Sequence, residues 1–237
     1  MIDFAETPAS AGMEANFTRT MLSRNETESL CLKAARGAGF SWGLAEEAGF
    51  AAGWLAAHGI DGTGTLLALL TQKLGKPAES GTPRPMPGHW QNPGQHPLCP
   101  VTLGAALCDS ALLSDGPFSR ETHIDLVAFP ILLLPFLARA AQIRGKPTVI
   151  GWQGRRLLIT ANGAFDQQAA ASWIARKDLA MTIRQTTEPE DLQNGLSLLP
   201  PVSMAILNGL NELALRTTVP ATVASRQGAG SSTADND

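Results

Sequence analysis

The residue types with the most chemical capacity crowd the end of the chain. Thr222, Ser225, Arg226, Gly228 and Gly230 follow in close order, and Asp235, Asn236 and Asp237 close the sequence. Glycines leave backbone N–H groups free to face an anion, and an arginine adds a two-pronged hold on carboxylate or phosphate. The Gly/Ala run after Arg226 can fold back and bring Asp235 and Asp237 to the guanidinium. Carboxylates held ionised in that way can take a proton or ligate a metal. Asp235 and Asp237 are therefore the catalytic candidates. Thr222, Ser225, Arg226, Gly228, Gly230 and Asn236 are the substrate-binding candidates. The same composition over residues 227–237 also describes a flexible tail.

A second group surrounds a proline-rich stretch: His89, His96, Cys99, Cys108 and His123. His96-Pro-Leu-Cys99 has the spacing of two ligands to one zinc ion, but no second tight pair accompanies it. No metal site is assigned on this basis, and the cofactor is left open. Cys99 with His96 or His123 would form a nucleophile and base. Arg139, Arg144, Arg155 and Arg156 are read as surface charge that also satisfies a helix C-terminus, with an anion-binding rim as the alternative. Glu46 and Glu47 read as a solvated helix face, or one of them as a general base. Trp42, Trp54, Trp152 and Trp173 read as core anchors. Gly151-Trp-Gln-Gly154 is a strand and turn, since no Lys-Ser/Thr follows to make a phosphate loop.

The elements that must position these residues follow from composition and periodicity. The 237 residues are 44% apolar and 16% charged, enough apolar side chain for one globular domain or a domain with a helical lobe. Lys+Arg of 18 against Asp+Glu of 21 gives a net charge of −3, which excludes a strongly basic face and argues against nucleic acid as partner. The longest apolar run, Leu126 to Ala138, carries two prolines and falls short of the roughly 20 residues of a membrane span. Asp3 and Glu6 near the start, with no apolar core after a basic stretch, speak against a signal peptide. Three cysteines make a disulfide scaffold unexpected, and a cytoplasmic location is the default.

Residues 1–20 read as a flexible arm, 21–74 as a helical lobe, 75–99 as a Pro/Gly-rich loop, 100–226 as an α+β core, and 227–237 as the Gly-rich end. In the lobe, Ser23 and Glu26 have capping-box spacing. Ser41 can cap a second helix, in which Leu44, Ala45, Ala48, Ala52 and Leu55 recur at helical spacing. A third helix is expected over Thr65 to Leu74. The proline density of the loop speaks against helix or central strand. Beyond it, helices are expected from Pro100 to Leu113, Pro130 to Ala141, Gln168 to Lys177 and Ser203 to Leu215. Strands are expected over Ile124 to Phe129 and Leu179 to Gln185, with a hairpin of Thr148 to Trp152 and Arg156 to Thr160 turning at Gln153-Gly154. Without regular βαβ alternation, the fold class is α+β.

Two resemblances follow from these residues. Over Ser23 to Leu74, two short helices and then Gly59-Ile-Asp-Gly-Thr-Gly64 look like the N-terminal lobe of the non-Rossmann malate/L-lactate dehydrogenase family. That family has Gly-Ile-Asp-Ser-His-Gly there, and its His is the acid/base. This chain has Thr63 at that position, whose hydroxyl cannot exchange protons near neutral pH. The resemblance thus implies a similar lobe, while oxidation of hydroxy acids with NAD or NADP is not expected. Over most of the chain, Leu30 to Asp61, Pro130-Ile-Leu-Leu-Leu-Pro-Phe-Leu-Ala-Arg139, Val219-Pro-Ala-Thr-Val-Ala-Ser-Arg226 and Asp235-Asn-Asp237 resemble a bacterial domain-of-unknown-function family (family 3726). Val223 replaces the Glu of that pattern, and Ser231-Ser-Thr233 interrupts its small-residue run. The resemblance brings no mechanism.

The functional expectation is a protein that binds or acts on a small anionic metabolite, by proton transfer or hydrolysis. The alternatives are a noncatalytic subunit that packs on an enzyme partner or on a second copy of itself, and a degenerate hydroxy-acid dehydrogenase relative. Neither nucleic acid nor membrane is expected as a partner.

Overall fold

The computed structural model describes residues 19–77, 79–187, 192 and 197–217. Its first part is a helical lobe of α1 (Arg24–Gly37), α2 (Trp42–Ala57) and α3 (Gly62–Lys73), joined by α7 (Met204–Leu215) from the far end of the chain. Each helix begins at an oxygen-bearing cap. Ser23 and Glu26 form the reciprocal capping box, the Glu26 backbone N–H donating to Ser23 Oγ and the Ser23 N–H to Glu26 Oε2. Ser41 caps α2, Asp61 caps α3 and Ser203 caps α7. Small residues let the helices approach closely. A methyl group on Gly49 would stand 2.6 Å from the Glu28 carbonyl oxygen of α1, and one on Gly37 would stand 1.7 Å from the Leu213 oxygen of α7. Cys31, Ala34, Ala48, Ala52, Leu55, Leu66 and Leu70 are fully buried in this lobe.

The second part is a six-stranded sheet in the order β2-β3-β4-β7-β5-β6. The strands are β2 (Arg84–Met86), β3 (His89–Gln91), β4 (Thr122–Ala128), β5 (Thr148–Trp152), β6 (Arg155–Ile159) and β7 (Asp178–Gln185). All neighbours are antiparallel except β3 and β4. Helix α4 (Pro100–Asp109) precedes β4. A 3-10 turn (Pro130–Leu133) and α5 (Leu134–Arg144) lead from β4 to β5, and α6 (Gln167–Ile174) leads from β6 to β7. Each crossover therefore straddles one antiparallel strand, a β-α-β-β-α-β succession. Ile124, Val127, Ile150, Leu157, Met181 and Ile183 are buried on one face of the sheet, with Ile131 to Phe136 (Pro135 apart) among the fully buried residues of the same core. A two-residue ladder pairs Arg19 and Thr20 (β1) with Ser203 and Val202 (β8). The architecture is α+β with an N-terminal helical region. Among the described residues no helix is long and apolar enough to cross a membrane.

Four local expectations change. The proline-rich stretch holds a hairpin, and β3 sits inside the sheet between β2 and β4. The reason is that His89-Trp90-Gln91 carry no proline, while Pro85 lies in the edge strand β2. Glu47 does not face solvent alone: Arg139 of α5 donates to both its carboxylate oxygens at 3.0 and 2.8 Å and lies 3.6 Å from the Phe50 ring centroid. Arg144 donates to Thr148 Oγ1 and Gln185 Oε1 and covers the Phe118 ring, so it is a tie between α5 and the sheet rather than a rim charge. Trp42 is exposed under the Arg36 guanidinium, whereas Trp152 and Trp173 meet edge to face in the core.

The glycine contacts generate a stability test. Gly37→Ala must push α1 from α7 and should cost about 1–3 kcal/mol, as overpacking does. Gly43→Ala, in a helical position with open space around it, should be neutral or stabilise by up to about 1 kcal/mol. Urea unfolding followed by circular dichroism measures both.

Candidate functional site

Among the described residues, the face of the sheet opposite the core is polar along β3 and β4, whereas Val149 and Leu158 are buried further across it. Period-2 alternation along β4 turns Thr122 and Ile124 inward and His123 and Asp125 outward. The pairing of β4 with β7 then slips between Ile124 and Val127. This bulge lets both Asp125 and the exposed Leu126 face outward while Val127 returns to the core. Strand β3 brings a second histidine: His89 is in register with His123, and the His123 N–H donates to the Gly88 carbonyl at 2.9 Å. Gly88 has φ of 75°, which suits the tight turn from β2.

His89 Nε2 lies 2.8 Å from Asp125 Oδ1, and His123 Nε2 lies 3.7 Å from the same oxygen. The two imidazoles meet edge to face with centroids 5.0 Å apart. Asp125 Oδ2 accepts the Asn92 backbone N–H at 2.8 Å. The Asn92 side chain in turn donates to the His96 carbonyl and accepts from Gly94, which shapes the loop after β3. Burial alone would push the Asp125 carboxyl up. The Asn92 N–H and the His89 and His123 imidazoles outweigh it, so the group stays below the ordinary carboxylate value and ionised at neutral pH. Among the described residues this is the one group of three side chains able to hold a metal, its ligand atoms all within 4.8 Å of one another.

A cavity of about 520 Å³ opens beside this row, lined among others by Phe118, Arg120, Glu121, Arg184, Gln185 and Thr187. Thr182 is the cross-strand partner of His123. Arg184 is one side-chain repeat further along β7, a shift of about 7 Å on the same face. Arg144 braces the cavity wall from behind through Phe118 and Gln185.

Of the sequence candidates, Thr222, Ser225, Arg226, Gly228, Gly230, Asp235, Asn236 and Asp237 lie outside the described residues. His89 and His123 come together, and neither His96 nor Cys99 joins them. His96 and Cys99 instead line a small cleft with Lys73 and Lys76. Cys99 is buried, Cys31 is fully buried with its thiol pushed well up by burial, and burial pushes Cys108 up to about 12. Thr63 is buried, and its hydroxyl donates to the Asp61 carboxylate at 2.8 Å, an arrangement of a helix cap. Asp125, Arg120 and Arg184 were not among the sequence candidates. The spacing His123-x-Asp125 on a strand would place both on one face, but the partnership with His89 depends on strand pairing across a long loop.

A family model described as a protein of unknown function (DUF3726) matches residues 22–99. The chain is thus similar to that family over the helical lobe and the β2–β3 hairpin. The matched segment includes His89 and stops before His123 and Asp125. It bears on the domain-of-unknown-function resemblance and carries nothing for the dehydrogenase one. No curated protein and no solved structure matches the chain.

The state of the thiols separates a nucleophilic Cys99 from a structural one. With all three cysteines unpaired and none exposed, the folded protein should react slowly with a disulfide reagent at pH 8, since the thiolate is the reactive form. All three should react at once in denaturant. One thiol reacting as fast in the native protein as in denaturant would restore the nucleophile reading.

Proposed function

We propose that this protein is an enzyme that takes a small anionic metabolite into the Arg184 cavity and carries out proton transfer or hydrolysis at His89, His123 and Asp125. The observation that supports this reading is that Arg184, which lines the cavity, stands on the same face of β7 as Thr182, the cross-strand partner of His123. Arg184 and Arg120 can hold carboxylate or phosphate through charge-assisted hydrogen bonds. Imidazole exchanges protons near neutral pH, and an ionised aspartate on its ring nitrogen orients it for that task. The cavity volume suits a metabolite rather than a polymer.

A noncatalytic, partner-bound role is the second reading. Met86 and Leu113, both exposed, line a groove of about 190 Å³ with Pro85, Pro87 and Pro117. The groove adjoins the histidine cluster, since Met86 is the cross-strand partner of His89.

Calorimetric titration with phosphate esters, dicarboxylates and hydroxy acids tests the proposal. Arg184→Ala should weaken binding of the preferred anion by about 10–100-fold, the worth of a charge-assisted hydrogen bond. His123→Ala should leave binding and remove turnover. Deleting residues 234–237 tests the C-terminal candidates in parallel. If the truncation abolishes binding while Arg184→Ala does not, the anion contacts belong to Arg226 and its neighbours instead.

A further inference from the structure

We infer that His89, His123 and Asp125 form a binding site for a divalent transition-metal ion of the zinc class. The ion would be held by Nε2 of both histidines and Oδ1 of the aspartate. This inference supplies the chemistry for the function proposed above and rests on that reading only for the reaction. The site itself is carried by the geometry.

Three features carry it. The first is spacing. In a tetrahedral centre with bonds of about 2.0–2.1 Å, neighbouring donor atoms lie about 3.3 Å apart. The separations of His89 and His123 Nε2 from Asp125 Oδ1, 2.8 and 3.7 Å, straddle that value, and no pair in the group exceeds 4.8 Å. A hydrogen-bonded His–Asp pair alone does not need the second imidazole turned to the same oxygen. The second is the donor set. Two imidazoles and one carboxylate suit zinc, iron(II) or manganese, whereas calcium and magnesium prefer all-oxygen shells. The third is the support behind the ligands. The Asn92 N–H occupies Asp125 Oδ2, which orients the carboxylate and leaves Oδ1 for the ion, the role that outer hydrogen bonds play at metal sites. The bulge at Asp125 and the register of the short β3 strand place all three side chains on the open face without disturbing the core behind them.

The cluster also has the form of a working centre rather than a structural one. It offers three protein donors, and its side chains are 30–49% exposed, so a coordination position faces solvent. A water bound there would be acidified and become the nucleophile or base. Arg184, which lines the neighbouring cavity, stands on the same sheet face as His123 and can receive the anionic end of a substrate.

The test uses the full chain, stripped with a chelator and titrated with Co²⁺ and Zn²⁺. Binding of a single ion per chain is expected, with visible Co²⁺ bands of low-coordinate cobalt. His89→Ala and His123→Ala should each weaken affinity by at least about tenfold, and His96→Ala should leave it unchanged. Circular dichroism checks the fold of each variant, and His123, half-exposed, is the variant least able to disturb it. Affinity weaker than about 1 mM, or affinity that survives the His89→Ala/His123→Ala double variant, overturns the inference. Metal failure with anion binding intact at Arg184 removes the ion and keeps the proposed ligand class. Metal binding without anion binding does the reverse.

Discussion

The burial of Ile124 and Val127 fixes strand β4, and most of the molecule is arranged around that strand. Both side chains have zero exposure, and between them the backbone makes room for two outward residues in succession. A one-residue slip would turn His123 into the core and Ile124 into solvent, so the register is protected by the whole apolar face. The strand ends at Ala128 and is followed by Phe129, whose φ of 44° is a left-handed conformation that costs a non-glycine residue about 1–3 kcal/mol. The Phe129 N–H donates to the Lys177 carbonyl, and Pro130 then opens a turn of fully buried side chains. The strain is thus held in place by the fully buried Ile131, Leu132 and Leu133, and it turns the chain from the sheet into α5.

The helical lobe meets this core through aromatic side chains and one charged pair. Ion pairs at this level of exposure contribute about 0–1 kcal/mol, so Glu47 and Arg139 do not hold the two parts together by themselves. Aromatic packing across the boundary contributes more, with Phe50 edge to face on Phe136 and Trp54 against Phe165; the close approaches at Gly37, Gly49 and Gly62 hold the helices of the lobe to one another. The pair sets the orientation of α2 against α5, with the guanidinium packed on Phe50 as well as bonded to the carboxylate. Arg144 does the same one turn later, linking the end of α5 to both β5 and β7.

Much of the fold was legible because it rests on local rules. Ser23 with Glu26, Ser41, and Gln153-Gly154 each announce a cap or a turn in a few residues, and each stands where the local pattern puts it. The strand β3 was not legible, because three residues between prolines have no period of their own and pair only after β4 exists. The candidate site shared that difficulty. His89 and His123 are visible as chemistry-bearing residues, but 34 positions of sequence separate them and parallel pairing alone makes them neighbours. Asp125 shares a strand face with His123, but its partner His89 comes to it only through the pairing of β3 with β4. The attraction of the C-terminal Arg and Asp residues came from density in sequence, whereas the cluster on the sheet is dense only in space.

The position of β2 has a consequence for how the chain avoids its own kind. A sheet with an open face and free edges invites the addition of a foreign strand. On one side the edge is β2, three residues long, with Pro85 unable to donate a ladder hydrogen bond. On the other side it is β6, which begins with the exposed Arg155 and Arg156. A missing donor blunts one edge and clustered charge the other. The proline density that marks residues 75–99 as irregular therefore doubles as protection against intermolecular β-pairing beside His89, so the outer strand next to that histidine can stay short.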